Sequence, residues 1–541
     1  MARFATAPVP APTARTSIGP NPTVTRSFEG GRAYIASDVH IELFSAAVNG
    51  FLADNFYESA DARIKRLISL VPQCDPEWLQ EFIPWLRSGA NMRSAPVVLA
   101  VEYARAKFPN SRQVVSKSLQ RADEPAEVLG YWMSRYARQK PHQGVEMPAS
   151  LKRGLADAVT RLYTQRAMLR YDGTNAVRNP WRFGDVIEMV HPKPADATQT
   201  ALFKFCLDRR RHEPEIDPAV LRLVFNTLAM EKAPKELRTT ERMAAALNDD
   251  AVVFSWERAA GWLEHTLTKA DWEALLPSMG YFAVLRNLNN FERARVSPQL
   301  VGEILTDPEK VKWSRVMPFR FLTAYKHMET DTYKVPLASA ADMALVNLPE
   351  FSGKTLIMVD ASGSMEKPAA GKQSKLARSE VAGFFAEALA RRCERVEVWT
   401  YSTDSRYHGG NAIATRVEIV PHASVLRGAS RDAYAPTYGT YTWTSTERVF
   451  AAMTAKPDRV VIITDEESGD SDTGSVNVPV ITWNVAGYKE HHAAHDGRKR
   501  LFVAGVNDQV MQTLPAVIAH GSTGQWPWEI TPTVEGGAED D

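Results

Sequence analysis

Asp360-Ala361-Ser362-Gly363-Ser364 gathers one carboxylate and two hydroxyls in a tight turn. These are hard oxygen ligands, the kind that suit Mg²⁺ with water completing an octahedron. One turn supplies too few of them, so a metal site here needs oxygens from other loops. Thr464-Asp465 closes a second apolar run, RVVIITD, and offers another carboxylate. Tyr438-Gly439-Thr440-Tyr441-Thr442 precedes a helix-like stretch in which Thr444 and Glu447 have capping-box spacing. A hydroxyl ahead of that helix is the expected third contribution. An Asx-type turn closing a strand explains DxSxS alone, because Asp/Ser turns are common; the metal reading rests on all three segments together. Phosphatase-type attack by Asp360 would want a second Asp as acid and a positioned Lys, where this motif has serines. No hydrolysis is therefore expected.

For the three segments to meet, each must lie at one edge of a common sheet. The chain changes character near Phe351 in a way that provides this. KTLIMVD reads as a strand covered on both faces. A helix-like SKLARSEVAGFFAEALARRC follows, then VEVWTYS, a candidate edge strand RVEIV, and a second helix near Glu447–Met453. RVVIITD and VPVITWNV are further strands, and LFVAGV adds another candidate. Strands alternating with helices imply a parallel α/β sheet, whose ligands bind at the carboxyl ends of strands. This α/β domain is placed at 351–525, with an acidic tail at 526–541 that includes EGGAEDD.

Upstream the pattern is helical. From Val39 to about Val346, segments such as DARIKRLISLV and LKRGLADAVTRLYTQRAM carry apolar residues at three- and four-residue spacing. Proline and glycine punctuate them every few tens of residues, which suggests paired helices stacked as a solenoid, without a strict repeat. The helical domain is placed at 21–350. Residues 1–20 read as a disordered tail. Arg3, Arg15 and Arg26 with no acid before Ser27 would suit a transit peptide, but Pro8, Pro10, Pro12, Pro20 and Pro22 would break its helix.

Lys+Arg and Asp+Glu each total 64, so any nucleic-acid surface must be a local patch. The three cysteines, Cys74, Cys206 and Cys393, lie far apart with no zinc spacing, which fits a reducing compartment. No apolar run approaches the length of a membrane span. One basic stretch stands out: Lys152, Arg153, Arg161, Arg166, Arg170, Arg178, Arg182, Lys193, Lys204 and Arg209-Arg210-Arg211. Between Arg170 and Pro194 the cations mix with Tyr171, Asn175, Asn179, Trp181 and His191. Cations suit phosphates, while aromatics and amides suit unpaired bases. A solvated helix face over core aromatics has the same composition. His191 on its own reads as a core histidine, and Trp132, Trp181 and Trp313 read as core.

Several motifs, in one order, are similar to the Ro autoantigen (TROVE) family along nearly the whole chain. They are Phe28-Glu29-Gly30-Gly31-Arg32-Ala33-Tyr34, Arg178-Asn179-Pro180-Trp181-Arg182 with Met189-Val190-His191-Pro192-Lys193-Pro194, and Pro277-Ser278-Met279 with Leu285-Arg286-Asn287-Leu288. Pro318-Phe319-Arg320 resembles a later H-P-F element, with Met317 in place of its His. DASGSM and ITDEE complete the order and resemble the metal-ion-dependent adhesion site of von Willebrand factor A domains. That resemblance makes Ser362, Ser364 and Thr440 direct Mg²⁺ ligands, with Thr442 the alternative to Thr440. Asp360 and Asp465 would act through water.

The resemblance implies a multidomain fold: an all-α ring of HEAT-like repeats plus an α/β von Willebrand factor A (Rossmann-like) domain. It implies a cytoplasmic, non-enzymatic ribonucleoprotein component for RNA quality control. A small Y-like RNA would bind the outside of the ring, and single-stranded ends of misfolded RNA would enter its hole. An exoribonuclease such as polynucleotide phosphorylase is the implied protein partner, with no membrane. Arg178 and His191 carry over as RNA contacts and Arg170 as a looser match; Asn179, Arg182 and Lys193 join them on chemistry and proximity. Arg286 and Asn287 either line the hole or brace a helix, with Arg87 and Arg93 as weaker lining candidates. The competing function is a protein-interaction adaptor that captures a partner carboxylate at the metal.

Overall fold

The structure, a computed structural model, describes residues 23–26, 32–35, 38–48, 60–137, 146–172, 181–211, 214–369, 374–405, 410–420, 422–430, 432–486, 499–506 and 508–529. Within these, the chain forms two compact units. One lies within 96–347, and the other joins 13–95 to 348–541. No helix among the described residues is long and apolar enough to cross a membrane.

The first unit is all helical, as its periodicity predicts. Helices pack against their neighbours: Ser111–Lys117 on Ala149–Leu162, Phe183–Val190 on Ala197–Asp208, and Pro318–His327 on Lys334–Met343. Ala149–Leu162 buries Leu151, Leu155, Ala158 and Val159, one stripe at helical spacing. Side-chain caps fix where these helices start. Thr164 accepts the Ala167 N–H (3.1 Å) and Asp196 the Gln199 N–H (2.7 Å), each satisfying a donor the helix leaves open.

The second unit holds a short antiparallel hairpin, β1 (Thr23–Arg26) and β2 (Arg32–Ile35), and a six-stranded sheet. The sheet strands are β3 (Phe351–Asp360), β4 (Cys393–Thr403), β5 (Ala412–Val417), β6 (Arg459–Thr464), β7 (Val480–Asn484) and β8 (Arg500–Ala504), in the order β5-β4-β3-β6-β7-β8. All neighbours are parallel except β4 and β5. The central β3 is fully buried from Thr355 to Asp360. The edge strand β5 is only partly buried, and it begins a few residues before the expected RVEIV.

Three expectations change. Helices Val39–Val48, Ala60–Leu70 and Pro76–Ser88 group with the sheet, not with the helical unit to which the 21–350 boundary assigned them. Helical periodicity tells that a face is buried, but not against what. Here the cause is aromatic: Phe44, Phe82 and Trp85 pack on Trp526 and Trp528, with Phe44–Trp526 at 4.6 Å and Trp85–Trp528 at 4.5 Å. Trp526 is therefore core, and the ordered unit runs past 525 through this clasp. The helix expected from Glu447 begins at Thr442. The Thr444/Glu447 capping box does not form; Asp470, from the loop after β6, accepts the Trp443 (3.1 Å) and Thr444 (2.6 Å) N–H groups instead. The expected tail at 1–20, and residues 530–541 of the one expected at 526–541, lie outside the described residues.

Candidate functional site

β3 is the first sheet strand; the chain moves from it to β4 on one side and later to β6 on the other. The carboxyl ends of β3 and β6 therefore form the topological switch point of the sheet, where an α/β fold opens a crevice. Val359 pairs with Ile463, which sets Asp360 beside Thr464. The Thr464 hydroxyl donates to Asp360 Oδ2 (2.7 Å), and the Ser362 N–H donates to Oδ1 (2.8 Å).

The other loops are tied to this turn through the backbone. Gly363 N–H donates to the Tyr438 carbonyl (2.6 Å) and Thr437 N–H to the Ala361 carbonyl (2.8 Å). Gly469 N–H reaches the Thr440 carbonyl (3.3 Å), joining the third loop to the second. The three segments singled out by sequence thus converge. Ser362 Oγ and Ser364 Oγ stand 3.1 Å apart. Adjacent ligands of octahedral Mg²⁺ are separated by about 3 Å, given bonds of about 2.1 Å, so the pair fits two such positions. Thr442 is fully buried, with its Oγ1 3.3 Å from the Tyr401 hydroxyl, while Thr440 keeps slight exposure; Thr440 is the better placed of the two hydroxyls.

Sequence reasoning missed Arg378. It opens the helix Arg378–Ala390, is fully buried, and holds Asp465 Oδ2 at 2.8 Å. Asp465 therefore already has a cation. Asp360 has only hydroxyl and N–H donors, and burial, then the Asp465 carboxylate, push its carboxyl well above the usual range. A divalent cation would relieve that penalty, with the guanidinium opposing tight binding. The signal was present: Arg378 is the only cation in a helix whose other charges are Glu380 and Glu387.

The basic stretch of the helical unit is built differently. Arg178 and Asn179 lie outside the described residues. Arg170 is exposed at the end of the helix Gln165–Tyr171, its guanidinium 5.6 Å from the Tyr171 ring centroid. Arg182 N–H donates to Asp185 (2.7 Å) to start Phe183–Val190, and His191 closes that helix with a left-handed φ of 47°. His191 is exposed, so the core reading of it fails; its side chain borders a cleft of about 560 Å³ with Phe203 and Lys204. Lys193 is also exposed, and its carbonyl accepts from Thr160 (2.9 Å).

Many other cations of the stretch are already engaged. Arg161 donates to the carbonyls of Ser116 (2.8 Å) and Leu119 (2.7 Å). Arg209 faces Asp172 (3.5 Å), Arg210 pairs with Asp185 (2.8 Å) and Glu188, and Arg211 with Glu188 (3.3 Å). Those pairs hold the Glu188 carboxyl below its ordinary value. Among the described residues Arg170, Lys193 and Lys204 have no ion-pair partner.

The late candidates separate. Arg286 is exposed. Asn287 is buried, its amide donating to the Ala283 carbonyl (2.8 Å) and accepting from Asn290 (2.9 Å); it braces the helix junction and does not face a ligand. Arg87 is buried, with Nη1 3.4 Å from Asn91, which removes it as a lining residue; Arg93 is half-buried. Trp132 is core and Trp181 half-buried, but Trp313 is 78% exposed, against the expectation of a core residue.

Residues 254–340 match the TROVE domain. Over 208 residues the chain is 28% identical to the RNA-binding protein RO60 of Deinococcus radiodurans, a match covering 35% of this chain and 37% of that protein. The matched region thus spans little more than a third of that relative's length. The crystal structure of the Deinococcus radiodurans RO (RSR) protein superposes with a TM-score of 0.66 at 17% identity, covering 89% of this chain and 100% of that one. The chain carries a match to the TROVE domain and has the fold of that RO protein, a helical unit plus an α/β sheet.

Proposed function

We propose that this TROVE-domain chain with a Ro fold is a non-enzymatic RNA-binding protein, and that its RNA lies on the surface carrying Arg170, Arg182, His191 and Lys193. The observation that carries this is the exposure of Arg170, His191 and Lys193, the two cations having no ion-pair partner among the described residues. Unpaired cations are free to replace counterions on phosphate, and an exposed imidazole can reach a base edge. The sequence similarity to a protein named for RNA binding supports the same reading. The finer reading is a small structured RNA of the Y class on this surface and single-stranded ends of misfolded RNA at a second one. RNA quality control with an exoribonuclease in the cytoplasm is its setting.

Binding of a small structured RNA across a salt series tests it. Wild type should lose affinity steeply as salt rises. Arg170→Gln and Lys193→Gln should each flatten the slope by about one unit. His191→Ala should weaken binding with the slope unchanged. Folded variants that bind as wild type does would move the site elsewhere.

The sheet-edge site supports a second, compatible reading. The Ser362–Ser364 spacing and the buried Asp360 suit Mg²⁺, which leaves a position for a carboxylate from a protein partner. Partner capture lost with a chelator but insensitive to salt would favour the adaptor reading over the ribonucleoprotein one.

A further inference from the structure

We propose that Phe282, bracketed by Arg286 and Arg320, is a stacking platform for an unpaired base of single-stranded RNA. The inference rests on the RNA-binding reading and assigns residues to its single-stranded part. Phe282 sits on the short helix Tyr281–Arg286, whose Tyr281, Val284 and Leu285 are buried. That burial leaves Phe282 facing outward, 43% exposed, an unusual position for a phenyl ring. Arg286 follows four residues later on the same face. Arg320 comes from Pro318–His327, which packs on this helix through Tyr281 and Phe321, ring centroids 6.0 Å apart.

The Arg286 and Arg320 guanidinium carbons each lie 5.9 Å from the Phe282 centroid. Both side chains are exposed, and neither has an ion-pair partner among the described residues. Two uncompensated cations around one exposed ring match a nucleotide in its two parts. The ring offers a π-face to any base, and the guanidiniums take the flanking phosphates. Two other exposed aromatics among the described residues lack this combination. Trp313 donates its Nε1–H to the Glu309 carboxylate (3.1 Å), and Phe225 borders a cleft whose Arg209, Arg210 and Arg211 face acids.

The test measures binding of a short single-stranded uridine RNA, and of the same strand with abasic sugars, to the full chain across a salt series. Phe282→Leu keeps the apolar bulk and removes the π-face. It should lose about tenfold affinity for the base-bearing strand and almost none for the abasic one, the scale of one lost base–aromatic stack. Phe282→Trp should restore it. Arg320→Gln should flatten the slope by about 0.7 for both strands. Melting curves check each variant. If wild type binds the uridine strand and Phe282→Leu binds it equally well, the platform is wrong and the RNA reading stands. Equal wild-type affinity for both strands also overturns the platform, leaving a patch for bare phosphate or an acidic peptide. If wild type binds neither strand and no structured RNA, both readings fall.

Discussion

The sheet-edge site and the basic face of the helical unit both bring polar groups together, and they do so in opposite ways. At the sheet edge the groups are buried and held before any ligand arrives. Asp360 is pinned by Thr464 and Ser362, Asp465 by Arg378, and the loops by main-chain hydrogen bonds. On the basic face the useful groups are exposed: Arg170 and Lys193 have no ion-pair partner among the described residues and the His191 ring is exposed, while Arg209, Arg210 and Arg211 are held by acids. A buried site is recognised by what its residues bond to. A polyanion surface is recognised by which cations bond to nothing.

The largest effect that would sharpen this contrast is at Asp360. Asp360→Ala should abolish calorimetric Mg²⁺ or Mn²⁺ binding, because the remaining hydroxyls do not displace hydration water. RNA affinity should be unchanged. Metal binding equal to wild type in both Asp360→Ala and Ser362→Ala would remove the metal assignment. Loss of RNA binding in a folded Asp360→Ala protein would break the separation of the two sites.

Arg378 comes next. Arg378→Met leaves Asp465 buried without its cation, and breaking a buried pair in this way costs roughly 3–5 kcal/mol. Mg²⁺ should then stabilise the variant more than the wild type, since the metal supplies the missing positive charge and no longer meets the guanidinium. Thermal melts with and without metal read this directly. A larger metal-induced shift in wild type would mean that Arg378 assists the cation instead of opposing it.

The same contrast explains what sequence made legible. DxSxS, the Thr loop and Thr464-Asp465 were readable because each sits where a strand ends or a helix begins, and a parallel sheet brings such points to one edge. The helical unit was readable from its apolar period. What escaped needed partners distant in sequence. Arg378 and Asp465 are separated by much of the α/β domain, and Asp470 displaced a capping box that looked satisfied locally. Trp526 and Trp528, in a segment read as tail, bind helices from the other end of the chain. Trp313 reversed its expected exposure, and Asn287 took the bracing role over the lining one, for a related reason. A short helix fixes which residues share a face, but the packing of its neighbours decides which face is covered. The Arg209-Arg210-Arg211 run appeared as three charges in sequence, and its neutralising acids became visible only in three dimensions.

The smallest predicted effect tests the rule about unpaired cations most sharply. Arg211 is the most exposed member of its run, and composition alone would rank it first as a phosphate contact. It pairs with Glu188, a carboxylate that also binds Arg210. Arg211→Gln removes one cation from a pair that already sums to little charge, and Arg210 stays on Asp185 and Glu188. The effect on RNA affinity should stay below about twofold with the salt slope unchanged, because a charge not contacting phosphate is screened within about 8–10 Å. Glu188→Gln should do the opposite. Its carboxyl is held below the ordinary range by Arg210, so it is ionised throughout the neutral region. Removing it frees Arg211 while Asp185 keeps Arg210, so RNA should bind more tightly with a slope steeper by at most about one unit. A gain from losing an acid and near silence from losing a neighbouring arginine would together show that pairing, not charge density, marks the RNA surface. If Arg211→Gln instead costs as much as Lys193→Gln, the ion pair opens when RNA arrives, and the distinction between held and free cations fails on this face.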